Sequence, residues 1–525
     1  MWKLQLVSTR RSLCSLATLL LVCLLALVGA IAASMQTIDA DEYIRLHNAP
    51  PTTSKDSSNR TVLAYITPWN SEGAAMVDAH AHKIDLVSPV WYTVLVAPTN
   101  STTPDATYIL SGGPPGKAEE AWLATRLRQS WPRPRIVPRF YLDGWQQKDY
   151  ADLLSAPSNW NRLAELIATE VHTRNYDGVV FESAATHLLF EPISTLNSAL
   201  KREDKSLTVV MQPVRTPYSI GAKVDRMQDS QNRMIVQSIP QLAAVVDFFS
   251  IMTYDMSSAS GRISSFEGKD FADDSPLRGA KRGSLRQAGP NTSPRWIKQN
   301  VDLVLTATRT AFKAGLNPKN DDVEEEEMTE ARLKDPSNPF LYSDFAAAEE
   351  LIEDEERDEL AAVRGKLLMG TPMYGYRYPL FWIDSTGQGV PVPPPSTPRE
   401  AEQLHERSAP SASNRVVPFL RGPGEAVTMQ GIIDTISDHK GVIVNPDQTH
   451  AEGWFDYTQI ITKHDAIPGA KEGDHLYWRL YLPLPHSTRA RTNALKELED
   501  ANPGLSLGVS LWELGQASPL LLNPL

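Results

Sequence analysis

Several residues of this chain have the types and spacing needed to hold a polar ligand with flat apolar faces. They sit where short apolar runs end. Tyr65 lies in Tyr65-Ile66-Thr67-Pro68-Trp69-Asn70, and Trp91 closes a second run. A third run carries Arg139, Tyr141 and Asp143, followed by Trp145. Glu182 closes a fourth. Met252-Thr253-Tyr254-Asp255, Gly370-Thr371-Pro372-Met373-Tyr374-Gly375 and Ser510-Leu511-Trp512-Glu513 close three more. Aromatic rings stack on C–H faces, while carboxylates and phenols take hydroxyls. Taken singly, any one ring reads better as core. Gathered at one end of a sheet, they describe a groove for carbohydrate.

Other constellations carry less. His80 and His82 in Asp78-Ala79-His80-Ala81-His82 fall in a helical stretch, where i and i+2 do not share a face, so no metal site is expected. Gly504-Leu505-Ser506-Leu507-Gly508 places its serine before a strand, not on the strand-to-helix turn of a nucleophile elbow. Gly112-Gly113-Pro114-Pro115-Gly116-Lys117 lacks the spacing and hydroxyl of a phosphate loop. No cofactor is expected.

The elements that must position these residues are short, nearly continuous apolar strands alternating with helices. Strand candidates are Val62 to Thr67, Leu86 to Val94, Ile136 to Leu142, Gly178 to Glu182, Leu207 to Met211, Phe248 to Tyr254, Leu367 to Met373 and Leu507 to Leu511. Helical patterns such as Lys117 to Arg128, Trp160 to His172 and Ile193 to Lys201 lie between them. This rhythm indicates a parallel sheet covered by helices. Eight strands suggest an α/β fold, a (β/α)8 TIM barrel whose strand ends share one mouth. Spacing alone leaves a doubly wound open sheet as the rival. The rhythm breaks at an acidic insertion, about 307–364, and a Pro-rich one, about 377–424. Residues 425–484 regain aromatic content and read either as a small lobe inserted between strands 7 and 8 or as the return to the eighth strand.

The chain has 525 residues and a net charge of -12, which argues against a nucleic-acid partner. Lys3, Arg10 and Arg11 precede an apolar run, residues 13–33, with Ala30 and Ala32 at its end. Residues 1–34 therefore read as a signal peptide or, alternatively, an uncleaved membrane anchor. Either places the remainder in the secretory pathway, lumenal or extracellular. Residues 35–60 read as a polar tether, and 61–520 as the barrel. Cys14 and Cys23 both lie in the apolar run, which leaves no disulfide for the rest. Sequons at Asn59, Asn100 and Asn291 suit a glycoprotein, although Pro294 weakens the last. The insertions could serve a protein partner of unknown identity.

Tyr176-Asp177-Gly178-Val179-Val180-Phe181-Glu182 resembles the fourth-strand signature DGxDxDxE of the family 18 glycoside hydrolases, the chitinases and chitinase-like lectins. Met252-Thr253-Tyr254-Asp255 is similar to the sixth-strand signature, Gly370 to Gly375 to the seventh-strand segment, and Leu511-Trp512 to the eighth-strand tryptophan that floors the central subsite. The likeness runs from about Val62 to Gln516. Val62 to Gly73, Asp247 to Ala259 and Gly508 to Gln516 follow a lectin-like branch of the family. The resemblance implies a pocket for chitin-type N-acetylated oligosaccharide formed by Tyr65, Glu182, Tyr254, Asp255, Tyr374 and Trp512.

It also exposes a departure. Aligned on Asp177-Gly178, the three carboxylate positions hold Val180, Glu182 and Ala184, so the proton donor's place is a methyl group. Glu182 lies two residues deeper, about 6.6 Å. Its extra methylene returns only about 1.5 Å, and proton transfer requires about 3 Å. In the family the sugar's N-acetyl group is the nucleophile, so losing this acid removes about 10² to 10⁴ in rate. Binding without efficient cleavage is the expectation. The alternative is an active hydrolase in which Glu182, the only catalytic candidate on the fourth strand, or Asp143 delivers the proton.

Overall fold

The computed structural model describes residues 37–49, 60–97, 108–215, 219–220, 223–224, 226–263, 285–314, 359–384, 389–390, 399–400, 416–439, 442–463 and 471–525, with isolated positions 273, 403 and 407. The proposed signal segment, the sequons at Asn59 and Asn100, and the acidic runs Glu324–Glu327 and Glu353–Glu356 lie outside them. Among the described residues no helix is long and apolar enough to cross a membrane.

The central element is a curled mixed sheet, TIM-barrel-like. Val62–Ile66 pairs in parallel with Leu86–Pro89 on one side and Leu507–Trp512 on the other. From Leu507–Trp512 the parallel order continues through Leu367–Pro372, Phe248–Ile251, Ser206–Met211, Gly178–Glu182 and Arg139–Tyr141. Tyr92–Val96 pairs in parallel with Arg139–Tyr141 and turns back through the antiparallel strand Tyr108–Gly112. At the other end of the sheet, Leu86–Pro89 pairs with Arg135–Ile136. The two ends are thus pieces of the same two segments, broken at Val90-Trp91 and Val137-Pro138. The expected runs Leu86 to Val94 and Ile136 to Leu142 are each split in this way.

Period-two alternation sorts the side chains into two cores. Leu63, Tyr65, Val137, Val180, Val210 and Leu368 meet inside the curl, with Met252 and Trp512 against them. Ala64, Val179, Phe181, Val209 and Phe249 face the surrounding helices. Helix Lys117–Arg128 forms as expected, and Pro157–Arg174 and Phe190–Lys201 extend slightly beyond their expected ends. Gly178 lets strands four and five touch: a Cβ there would fall 2.2 Å from Ser206 Oγ and 2.4 Å from its carbonyl oxygen.

Three expected boundaries change. Helix Pro294–Lys313, with Ala307 and Thr308 buried, runs through the start of the acidic insertion, which therefore begins after it. The Pro-rich span is not all loop: Gly375–Asp384 and Val416–Leu420 pair with each other within it. Together with Glu452–Ile460 and His475–Pro483 they build an antiparallel lobe between the last two barrel strands. Finally, the tether is partly docked. Ile38–Asp39 pairs with Ile443–Val444, and helix Ala40–His47 follows, capped by Asp39 accepting from the Glu42 N–H at 2.8 Å. Tyr43 donates to the Pro483 carbonyl at 2.8 Å.

His47 ends that helix, 2% exposed, its Nδ1 2.6 Å from Ser518 Oγ. Burial lowers the imidazole from 6.5 to about 4. Because the folded-state value lies below the unfolded one, stability is fully present above pH 6.5 and is lost as pH falls toward about 4. The full difference is on the order of 3 kcal/mol. In His47→Asn the fall in melting temperature across this window is expected to shrink, and an unchanged slope would assign the acid sensitivity to other groups.

Candidate functional site

The site forms where the barrel strands end. Strand four turns its odd-numbered residues, Val179 and Phe181, toward the helices, so Val180 points into the apolar interior and Glu182 into the mouth. The strand stops at Glu182. Ala184 therefore stands in an exposed turn beyond the ladder, and Ser183 is buried, 3.0 Å from Tyr150 Oη. Below Glu182, Tyr65 donates to Ser250 Oγ at 2.9 Å, and Ser250 donates to Ser510 Oγ at 3.0 Å. With Val180 beside this layer, Glu182 has no second carboxylate beneath it among the described residues.

Its partner is a cation. Register places Tyr141 opposite Glu182 and Arg139 opposite Val180, both residues of strand three pointing inward. Arg139 Nη1 lies 2.9 Å from Glu182 Oε2, and both side chains are 15% exposed. The guanidinium also lies over the rings of Tyr141, at 5.0 Å, and Trp512, at 6.0 Å. Burial pushes the Glu182 carboxyl above its ordinary value, while Arg139 pulls it back. Asp143 is exposed and adds a like charge nearby.

Trp512 is the hub. Tyr65 meets it edge-on with centroids 5.2 Å apart, and Tyr254 lies nearly parallel at 6.0 Å. Tyr254 is followed by Asp255, whose backbone is left-handed at φ 56°. Tyr374 Oη donates to Asp255 Oδ1, and Tyr376 also bonds to that carboxylate. Arg215 Nη1 donates to the Asp255 carbonyl at 3.1 Å. Burial raises the Asp255 carboxyl against the pull of these partners. Aromatic stacking continues from Tyr376 to Tyr378 into the lobe.

The structure thus brings Tyr65, Glu182, Tyr254, Asp255, Tyr374 and Trp512 to one mouth. Glu513 points away from it, accepting from Asn70 Nδ2 at 2.9 Å. Asp177 lies at the opposite end of strand four, held by Arg133 at 2.7 and 3.0 Å and by the Ile136 N–H at 2.7 Å, so it braces the strand's base. Sequence reasoning placed Arg139 at a strand end without giving it a role, and it missed Arg215, Tyr376 and Asn291. Cross-strand register would have been needed to pair Arg139 with Glu182. Asn291, expected as a sequon, is 1% exposed and bonded internally, so it offers no surface amide. A separate cavity of about 550 Å³ lies between the hairpin residues Tyr92, Tyr108 and Leu110 and helix Pro157–Arg174.

No family model matches the chain. Among solved structures, the chain is similar in course to a chitinase from Chromobacterium violaceum, with 14% identity, a TM-score of 0.48, and coverage of 89% of this chain and 97% of that one. It is similar to a class V chitinase from Pseudomonas fluorescens, with 14% identity, a TM-score of 0.48, and coverage of 88% and 98%. It is also similar to an Ostrinia furnacalis Group IV chitinase in complex with allosamidin, with 14% identity, a TM-score of 0.44, and coverage of 89% and 97%.

Removing one member of a buried ion pair strands the other. Arg139→Ala is expected to destabilise the fold by about 3 kcal/mol, and adding Glu182→Gln to restore a good part of it. Urea midpoints of the two single variants and the double variant measure this; strictly additive losses would show that the pair is not coupled.

Proposed function

We propose that the mouth is a carbohydrate-binding pocket for chitin-type N-acetylated oligosaccharides and that it cleaves them poorly or not at all. The observation that carries this reading is the end of strand four. Glu182 is tied to Arg139, and the position that the family 18 resemblance gives to the proton donor is Ala184, on an exposed turn. Around it, Trp512 supplies ring surface backed by the buried rings of Tyr65 and Tyr254, and Tyr254 and Asp255 are the residues to which the resemblance gives the N-acetyl arm. Aromatic side chains beside a few convergent polar groups are what sugar sites offer.

The same reading assigns the chain to family 18, nearest the branch called chitinase domain-containing protein 1, and counts the curled sheet as a full (β/α)8 barrel with the lobe inserted between strands 7 and 8. It assigns residues 1–34 to a signal peptide or anchor, and the folded part to the lumen of the secretory pathway or the cell exterior.

One observation favours hydrolysis instead. Burial raises the Glu182 carboxyl, the direction a general acid needs. Against it, the carboxylate is already committed to Arg139, and a protonated form would surrender that pair.

Calorimetric titration with N-acetylglucosamine oligomers is expected to show binding that weakens about 10-fold or more in Trp512→Ala. Turnover of a chromogenic chitobioside from about pH 3 to about pH 8 is expected to be absent or residual. Robust turnover abolished by Glu182→Gln would replace this reading with the hydrolase one.

A further inference from the structure

Asn291-Thr292-Ser293 has the form of a sequon, yet all three side chains are spent inside the fold. Ser293 caps helix Pro294–Lys313, accepting from the Trp296 N–H at 3.1 Å. Thr292 donates to the Thr253 carbonyl at 2.6 Å. Asn291 does more. Its Oδ1 accepts the Asp255 N–H at 2.7 Å, and its Nδ2 donates to the Tyr374 carbonyl at 3.3 Å. Asp255 and Tyr374 follow different strands of the sheet and meet through the phenol–carboxylate bond in the mouth. One amide side chain therefore clamps the two backbones behind that bond. It also fixes the left-handed backbone of Asp255, which a non-glycine residue does not adopt without support.

Asn291 is itself held. Its backbone N–H donates to Glu452 Oε2 at 2.8 Å, and Thr292 N–H bonds to the same carboxylate. Arg491 completes the set, 3.0 Å from Glu452 Oε1, with Nη1 donating to the Pro372 carbonyl at 3.3 Å. Asn291, Glu452 and Arg491 are each 1% exposed. The Glu452 carboxylate of this buried network is met by three donors, while Arg491 Nε has no partner among the described residues, so the match is centred on the anion.

We propose that Asn291 is a positioning residue of the mouth and that the charge on buried Glu452 regulates it, so that acid weakens ligand capture. The inference rests on the carbohydrate-binding reading for its ligand, but the relay stands without it. The groups bonded to the Glu452 carboxylate are all donors: Asn291 N–H, Thr292 N–H and Arg491. A proton placed there removes the negative charge that strengthens all three bonds and so loosens Asn291. The groups that also face Glu452 are Asp447 and Tyr378 from the lobe and Tyr43 from the N-terminal helix. Desolvation, the largest influence, pushes this carboxyl up to about 7, within reach of an acidified compartment.

The test has two arms. In the first, binding of chitotetraose to the full chain is measured between about pH 8 and about pH 5.5; the dissociation constant is expected to rise about 5-fold on acidification. Glu452→Gln is expected to flatten that profile, Glu182→Gln to retain it, and Asn291→Ala to bind weakly at both ends. A profile that survives Glu452→Gln, or vanishes in Glu182→Gln, overturns the proposal. In the second arm, without ligand, hydrogen exchange of the Asp255 amide, corrected for intrinsic rate, is expected to accelerate on acidification in the wild type. In Asn291→Ala it is expected to be fast at both pH values. Wild-type protection that ignores pH overturns the relay. Should Glu452→Gln not fold, Arg491→Lys replaces it, and an unshifted midpoint overturns the proposal. If the wild type binds no oligomer at any pH, the carbohydrate reading fails and the amide measurement alone decides the relay.

Discussion

Taking a carboxylate out of water costs several kcal/mol unless a cation and good geometry meet it. At one end of the curled sheet that demand is met between neighbouring strands, where Arg139 reaches Glu182 at 2.9 Å. The rest of the site is arranged around this pair. Its guanidinium lies over Trp512 and Tyr141, and the hydroxyl layer of Tyr65, Ser250 and Ser510 closes the floor beneath without adding charge. An interior that held a second carboxylate would divide Arg139 between two anions. Val180 removes that competition, so a substitution in the signature and the ion pair above it belong to one change of environment.

The lobe and the N-terminal helix extend the same logic outward. Glu452 lies on a lobe strand and Arg491 on the helix preceding the eighth barrel strand, and their pairing ties lobe to barrel through a fully buried charge. Tyr43, whose phenol reaches the Pro483 carbonyl, closes the outer side. Burial raises the Tyr43 phenol well above its ordinary value, with Glu452 reinforcing the shift, which keeps it a neutral donor. The lobe is thus fastened by directional polar contacts as well as by apolar burial, and those contacts converge on the strand ends that carry the mouth.

Much of this was legible in the sequence because the informative signals are local. Near-continuous apolar runs marked the parallel strands, and the helix Lys117–Arg128 was read at its observed bounds. The family resemblance singled out Tyr65, Glu182, Tyr254, Asp255, Tyr374 and Trp512, which the fold brings close together. What escaped reading depended on register or distant packing. Arg139 faces Glu182 only because Tyr141 pairs with it across the ladder. The lobe strand Gly375–Asp384 hides in a Pro-rich region, although Tyr376, Tyr378, Leu380 and Trp382 alternate at period two and join one core. The segment before the barrel read as tether because its composition is polar, yet Tyr43 and His47 are buried. The sequon at Asn291 misled for a related reason: a triplet pattern contains no information about burial.

Whether such a mouth binds or cleaves turns on where a proton can reside. A general acid must be neutral at working pH, close to the atom it protonates and free to recover its proton. Glu182 satisfies one of these conditions through desolvation. It is opposed on the others: its carboxylate is the acceptor of a charge-assisted bond, and its strand ends before the chain reaches the turn that bears Ala184. Moving Glu182 toward a ligand would break the pair and leave Arg139 uncompensated over Trp512, at an energetic cost comparable to the gain expected from acid catalysis, about 3 to 5 kcal/mol against a factor of 10² to 10⁴. The ground state of the pair therefore opposes proton donation by Glu182.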